Sequence, residues 1–175
     1  PDLFFPFAAP PVMGSMADSG EQFEAQARLL LWSVERAISG LAALADRSAK
    51  AKRVHVVLPG SPNRGMFGGD GAYGETKAAF DAITNRWSAE SIWARGTTLA
   101  HPKIGWVQGT GLMGGNDALA PAARKAGIRT YTTDEMADEL VALCTAEARA
   151  NALEGPLHAD LTGGLAMGVD FKALQ

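Results

Sequence analysis

A single cysteine in 175 residues, Cys144, excludes a disulfide framework and a cysteine-rich metal site. It lies in the apolar, helical-looking run MADELVALCTAEA, where a thiol acts as a small, buried and inert hydrophobe. Histidine is nearly as scarce: His55, His101 and His158 fall in separate strand-like segments without ligand spacing, so no metal site is read. No block of like charge exists either. Sixteen Lys and Arg are interspersed with nineteen Asp and Glu for a net charge of −3, which gives no electrostatic footprint for nucleic acid or an anionic membrane. Long apolar runs are also absent. The opening PDLFFPFAAPPVMG is broken by prolines and has no basic stretch before it, so it reads neither as a signal peptide nor as a membrane span. A reduced, cytoplasmic setting is expected. No repeat or low-complexity tract is visible. An initiator methionine is missing too, and strand-like residues start at once from Pro1, so the expectation is a piece of a longer polypeptide.

At 47% hydrophobic residues the chain can bury a sizeable core in one domain. Residues 21–45 place Leu30, Val34, Ala37, Ile38 and Leu41 at helical spacing, which predicts a packed helix. The basic linker KAKR then runs into a β-branched strand over Val54–Leu58, stopped by Pro59 and Gly60. A second long helix is predicted from Ala72 to about Ala94, with Phe80, Ile83 and Trp87 on one side. The strand TTLAHPKIGWV, the loop GTGLMGGN, the helices DALAPAARKAG and TDEMADELVALCTAEA, and a short strand LHADL follow. Strands alternating with helices of these lengths predict an α/β fold, a parallel sheet covered on both faces.

Two glycine loops invite a ligand. Gly109, Gly111 and Gly114 spell GxGxxG between a strand and a helix, the place of a dinucleotide fingerprint. The acid expected about 20 residues on has only Asp134 as a candidate, and that residue reads as the acid of a helix start. The loop is therefore read as turn-making, with the cofactor reading kept as the alternative. The tracts GMFGGDG and LTGGL are turn-makers by the same reasoning, since glycine adopts positive φ at little cost.

In GDGAYGETKAAFDA, Tyr73 and Lys77 stand four apart and share a helix face. At an effective dielectric of about 20, a lysine cation ~5 Å away favours a phenolate by about 3 kcal/mol, which would bring the phenol towards neutral pH as a general acid. Ser61 ends the strand in LPGS, twelve positions before Tyr73, at the carboxyl edge where open α/β sheets bind ligands. The glycine loop between them can fold hydroxyl and phenol onto one carbonyl oxygen. A Ser-Pro turn and an exposed i,i+4 pair are the plainer readings of the same residues.

The order of strand, serine, glycine loop, YxxxK helix, strand and second glycine loop resembles the short-chain dehydrogenase/reductase family. More narrowly, LPGSPNRGMFGGDGAYGETKAAFDAITNRWSAES followed by IGWVQGTGLMGGND looks like the β-ketoacyl reductase domain of type I fatty acid synthases of fungi and actinobacteria. That resemblance covers about Pro1 to Leu165. It implies the C-terminal catalytic half of a Rossmann-type doubly wound sheet, residues 1–175 forming a partial reductase domain whose cofactor-fingerprint half lies outside this chain. It implies NADPH as cofactor and reduction of a β-ketoacyl group on an acyl carrier protein to the β-hydroxyacyl form. Other synthase domains and a homo-oligomeric assembly are the implied partners, with neither nucleic acid nor membrane among them.

Carried over residue by residue, Tyr73 protonates the ketone oxygen, Lys77 lowers the phenol pKa and binds the nicotinamide ribose, and Ser61 hydrogen-bonds the substrate carbonyl. Gly105 and Thr110 stand beside the nicotinamide amide and phosphates, with Ile104 where the family usually has proline. The family's helical asparagine is absent, and Ser33 or a water is expected in its place. A reductase acting on a free ketone, and a non-catalytic reductase-like scaffold, are the rival readings. The resemblance also implies that Val54–Leu58 lacks its inner neighbour and presents an unpaired apolar edge, so that the isolated piece would be poorly soluble and would not bind NADPH.

Overall fold

The computed structural model describes residues 1–47, 52–112 and 114–165. Part of the basic linker lies outside these. Four strands, β1 (Leu3–Phe4), β2 (Val54–Val57), β3 (Thr97–Ile104) and β4 (Leu157–Leu161), form one all-parallel sheet in the order β1-β2-β3-β4. All four β2 residues and the first six of β3 are buried, as expected of central parallel strands covered on both faces.

Helices α1 (Glu21–Ala27) and α2 (Ser33–Asp46) are joined without a break by a π-helical turn, Arg28–Trp32. Helix α3 spans Tyr73–Ala89, shorter than the predicted helix because Glu90 leaves the helical region and a separate turn α4 (Ser91–Ala94) follows. The third predicted helix opens as a 3₁₀ segment, Gly114–Leu119, before α5 (Ala120–Lys125). The fourth divides into α6 (Thr133–Ala142) and α7 (Ala146–Asn151). Thr145 causes the division: its hydroxyl accepts from the Ala148 amide and caps a new helix. At that turn the Leu143 carbonyl accepts from His55 Nε2 (3.0 Å), so Nδ1 accepts from the Thr98 hydroxyl (2.8 Å). His55 is thus a satisfied core group. Cys144, at the same turn, is only half-buried, and burial pushes its thiol up.

Val34 and Ile38 of α2 pack with Phe80, Ile83 and Trp87 of α3 against Val54, Val56, Leu58 and Leu99 on one face of the sheet. Met136 and Leu140 of α6 pack against Val57, Ala100 and Leu161 on the other. The chain steps across the sheet in one direction throughout, yet its third crossover passes over the opposite face, so its hand is opposite to that of the first two. The carboxyl edge is therefore walled from both faces.

The expected unpaired edge at Val54–Leu58 does not occur. Leu3 and Phe4 pair with His55 and Val56, and the His55 amide donates to the Asp2 carbonyl (3.0 Å). The opening apolar segment is itself the inner neighbour, and the sheet edge falls on a two-residue strand.

Candidate active site

Ser61 follows Gly60, which pairs with Lys103 of β3. In the β2–β3 register, the residue at position 102 would donate to the Leu58 carbonyl, but Pro102 has no N–H. The Gly60 amide takes that carbonyl instead (2.9 Å) and also reaches the Pro102 carbonyl (2.9 Å). Gly60 stays in the same register opposite Lys103, the Ile104 amide donating to its carbonyl (3.1 Å), and Ser61 emerges just beyond it at the carboxyl edge, 6% exposed. Gly60 admits no side chain, because a Cβ would lie 2.5 Å from His101 Nε2. His101 is itself wholly buried between Phe80 and His158, and burial pulls its imidazole down to about 4, so it is neutral.

The loop from Ser61 to Tyr73 is cross-braced. The Ser61 hydroxyl accepts from the Asn63 amide (3.1 Å), Asn63 Oδ1 accepts from the Gly65 amide (2.9 Å), and Asn63 Nδ2 donates to Asp70 (2.8 Å). Gly65, Gly68, Gly69 and Gly71 all take φ between +58° and +83°, which lets twelve residues fold back within a short span. Tyr73 then opens α3, its amide donating to the Asp70 carbonyl (3.1 Å).

Lys77 is 5% exposed, its Nζ 5.6 Å from the Tyr73 ring centroid and 4.8 Å from that of Phe80. Among the described residues no carboxylate pairs with it. Burial pulls its ammonium down to about 8. The Tyr73 phenol is pushed up by burial; the Ser61 hydroxyl opposes this and the Asp70 charge adds to it. This direction is contrary to the sequence expectation, which weighed the Lys77 charge without the desolvation that both groups undergo.

Ser61, Tyr73, Lys77, Gly105 and Thr110 line one cavity of about 780 Å³. Gly105 is fixed by packing, since a Cβ there would lie 2.3 Å from the Thr162 carbonyl oxygen. The Thr110 hydroxyl donates to the Val107 carbonyl (3.0 Å). The proline-rich segment Pro10–Val12 forms another wall, and Phe67, Leu112 and Met136 add apolar surface.

Ser33 is not part of this site. It is exposed, and its hydroxyl donates to the Leu29 carbonyl one turn back (2.5 Å). Sequence reasoning missed Asn63, Asp70 and Gln26. A glutamine on the otherwise apolar series 26, 30, 34, 38 was the available signal for the last. In the GxGxxG loop, the Gly109 amide donates to Asp117 Oδ2 (2.9 Å). A carboxylate already occupies the amide that a pyrophosphate would need.

No family model matches the chain. It is 38% identical over 175 residues to the fatty acid synthase subunit alpha of Saccharomyces cerevisiae, an alignment that takes in 98% of this chain and 9% of that one. The chain is a homologue of part of the fungal fatty acid synthase α subunit. Its fold is that of short-chain dehydrogenases. A short chain dehydrogenase from Bacillus anthracis superposes with a TM-score of 0.71 at 16% identity, over 93% of this chain and 63% of that one. A 4-hydroxyisoleucine dehydrogenase complexed with NADH and succinate gives 0.67 at 15%, over 94% and 69%. The homologue thus spans 9% of the α subunit and 63–69% of the dehydrogenase chains. Among the described residues no helix is long and apolar enough to cross a membrane.

Proposed function

We propose that this chain carries the catalytic groups of an NADPH-dependent β-ketoacyl reductase that acts on acyl groups held by an acyl carrier protein, within a larger multifunctional and oligomeric synthase. The observation that carries the reading is a buried lysine cation that has no carboxylate partner among the described residues and faces a cavity that also presents a phenol and a hydroxyl. A buried unpaired charge is costly, and a ligand rich in hydroxyl groups, such as the ribose of a nicotinamide cofactor, would compensate it. Lys77, Gly105 and Thr110 would hold that cofactor, which supplies the hydride when bound.

The chain's own residues do the rest. Ser61 donates a hydrogen bond to the ketone oxygen, and Tyr73 gives that oxygen its proton as the carbonyl carbon is reduced. The upward push on the phenol keeps it protonated until the reacting oxygen arrives. As the phenolate forms, the Lys77 cation, 5.6 Å from the ring centroid, stabilises it electrostatically. The apolar walls at Phe67, Leu112 and Met136 suit an acyl chain.

The test is cofactor consumption by the full-length polypeptide with a carrier-linked β-ketoacyl thioester. Tyr73→Phe is expected to lower turnover by about 10²-fold or more with cofactor binding retained. NADPH and the carrier-linked substrate should outperform NADH and a free ketone. Wild-type turnover in the variant removes Tyr73 from the chemistry.

A further inference from the structure

Gln26 is 3% exposed on a helix that otherwise buries apolar groups. Its Oε1 accepts from the Ala72 amide (2.8 Å), the last amide before Tyr73, and its Nε2 donates to the Met13 carbonyl (3.1 Å), next to the cavity wall at Val12. Segment 12–14 also runs beside the glycine loop: the Gly14 amide donates to the Gly69 carbonyl (3.1 Å), and the Gly71 amide to the Gly14 carbonyl (3.0 Å). Gly71 has φ +58°, and a Cβ on it would lie 2.3 Å from Gln26 Oε1, so the chain gives up a side chain to let this amide through.

The helix itself is distorted to present Gln26. Four residues of α-helix turn through about 400°, so a face read at steps of four drifts by about 40° each time. Gln26, Leu30, Val34 and Ile38 are nonetheless all buried, at 3%, 1%, 5% and 3% exposure. The π turn Arg28–Trp32 takes up the drift, with the Ser33 amide donating to the Arg28 carbonyl. π turns of this kind recur at functional sites.

We infer that Gln26 is a positioning residue for Tyr73: one buried amide bolts the start of the catalytic helix to the proline-rich wall of the cavity, and so sets where the phenol stands relative to a bound ketone. The inference rests on the assignment of Tyr73 as proton donor. Met13 would keep a partner without Gln26, because Gln22 Nε2 also donates to its carbonyl (3.0 Å). The group left without support is the Ala72 amide.

Gln26→Ala and Gln26→Glu test this in the full-length polypeptide. Peptide-resolved hydrogen exchange over residues 69–73 should rise in Gln26→Ala, and kcat should fall about tenfold with KM little changed. A protonated glutamic acid accepts and donates as glutamine does, whereas its anion only accepts and places a charge against the Met13 carbonyl. Burial and the Asp70 charge in the facing loop both raise the titration of that carboxyl. Gln26→Glu should therefore show near wild-type exchange and kcat at low pH. As pH rises its anion still accepts from the Ala72 amide but loses and repels the Met13 carbonyl, so kcat should fall on a profile the parent lacks while exchange at residue 72 stays low. Unchanged exchange and kcat in Gln26→Ala overturn the inference. If that variant fails to fold, Gln26→Glu decides, and a pH profile of kcat there that matches the parent's overturns it. Should Tyr73→Phe keep full turnover, the catalytic reading fails, while the exchange result still decides whether Gln26 holds the helix start.

Discussion

The loop 59–72 after β2 and the loop 105–112 after β3 leave neighbouring strands at the same edge of the sheet, and both are rich in glycine. In the first, four glycines take positive φ and the turns between them are tied by Asn63, Asp70 and Gln26, so a serine and a tyrosine are fixed in one cavity. In the second, Gly109 and Gly111 begin a dinucleotide fingerprint that Gly114 completes, yet the Gly109 amide is spent on Asp117. Glycine spacing shows where backbone can approach a ligand. What the neighbouring side chains do with the freed amides decides whether a ligand is accepted.

Lys77→Ala should have the largest effect, because the lysine on the helix that follows the first loop is the one proposed to serve both the phenol and the cofactor. Hydrogen bonds to a charged group are worth about 1.5–3 kcal/mol, so cofactor affinity should drop roughly 10–100-fold, measurable by calorimetry. Normal binding would reduce Lys77 to a packing residue and dissolve the contrast between the loops.

Stability carries the same signature. The Lys77 ammonium is pulled from 10.5 down to about 8, so between those values the unfolded chain binds more protons than the native one, and stability rises with pH across that window. Below about pH 8 the full penalty, about 3 kcal/mol, is present. Lys77→Met should remove that penalty, raising Tm at pH 7 and flattening the rise between pH 8 and 10.5. A lower Tm at pH 7 would mean that the cation is solvated or paired.

Gly71→Ala should destabilise by about 1–3 kcal/mol, since it adds both a strained φ and a clash with the Gln26 amide. Turnover should fall with it. Gly109 has positive φ as well but open space around it, so Gly109→Ala should cost strain without a clash. Denaturant melts of the two variants rank the loops directly.

Asp117→Ala is the smallest effect expected. Loss of its bonds to the Gly109 amide and the Trp106 indole N–H should cost about 1–2 kcal/mol, with cofactor affinity changed by less than about threefold. A tenfold gain in affinity would instead make Gly109 a phosphate site held shut by the carboxylate.

Much of the fold was legible because its signals are local. The β-branched run at Val54–Val57, the apolar face of Phe80, Ile83 and Trp87, and the YxxxK pair each lie within one element. The role of Leu3 and Phe4 was not legible, because two residues are too short to show a strand period, and their pairing is settled by His55 and Val56 about fifty positions away. Gln26 meets Ala72 across 46 residues, and no spacing rule reaches that far. The direction of the Tyr73 titration was misjudged for a related reason: the distance between Tyr73 and Lys77 follows from helix geometry, but their joint burial depends on the β2 loop and the opening segment closing over them.

The central claim is that Tyr73 donates a proton beside a lysine that must stay charged. It is tested most directly by the pH dependence of kcat/KM for β-ketoacyl reduction, compared between the parent and Lys77→Ala. Deprotonation of Lys77 near 8, followed by the phenol at higher pH, should make the parent's rate fall as pH rises above about 8. In Lys77→Ala the low plateau should extend further into the alkaline range before it falls. A parent rate that stays flat or climbs to pH 10 would contradict the account.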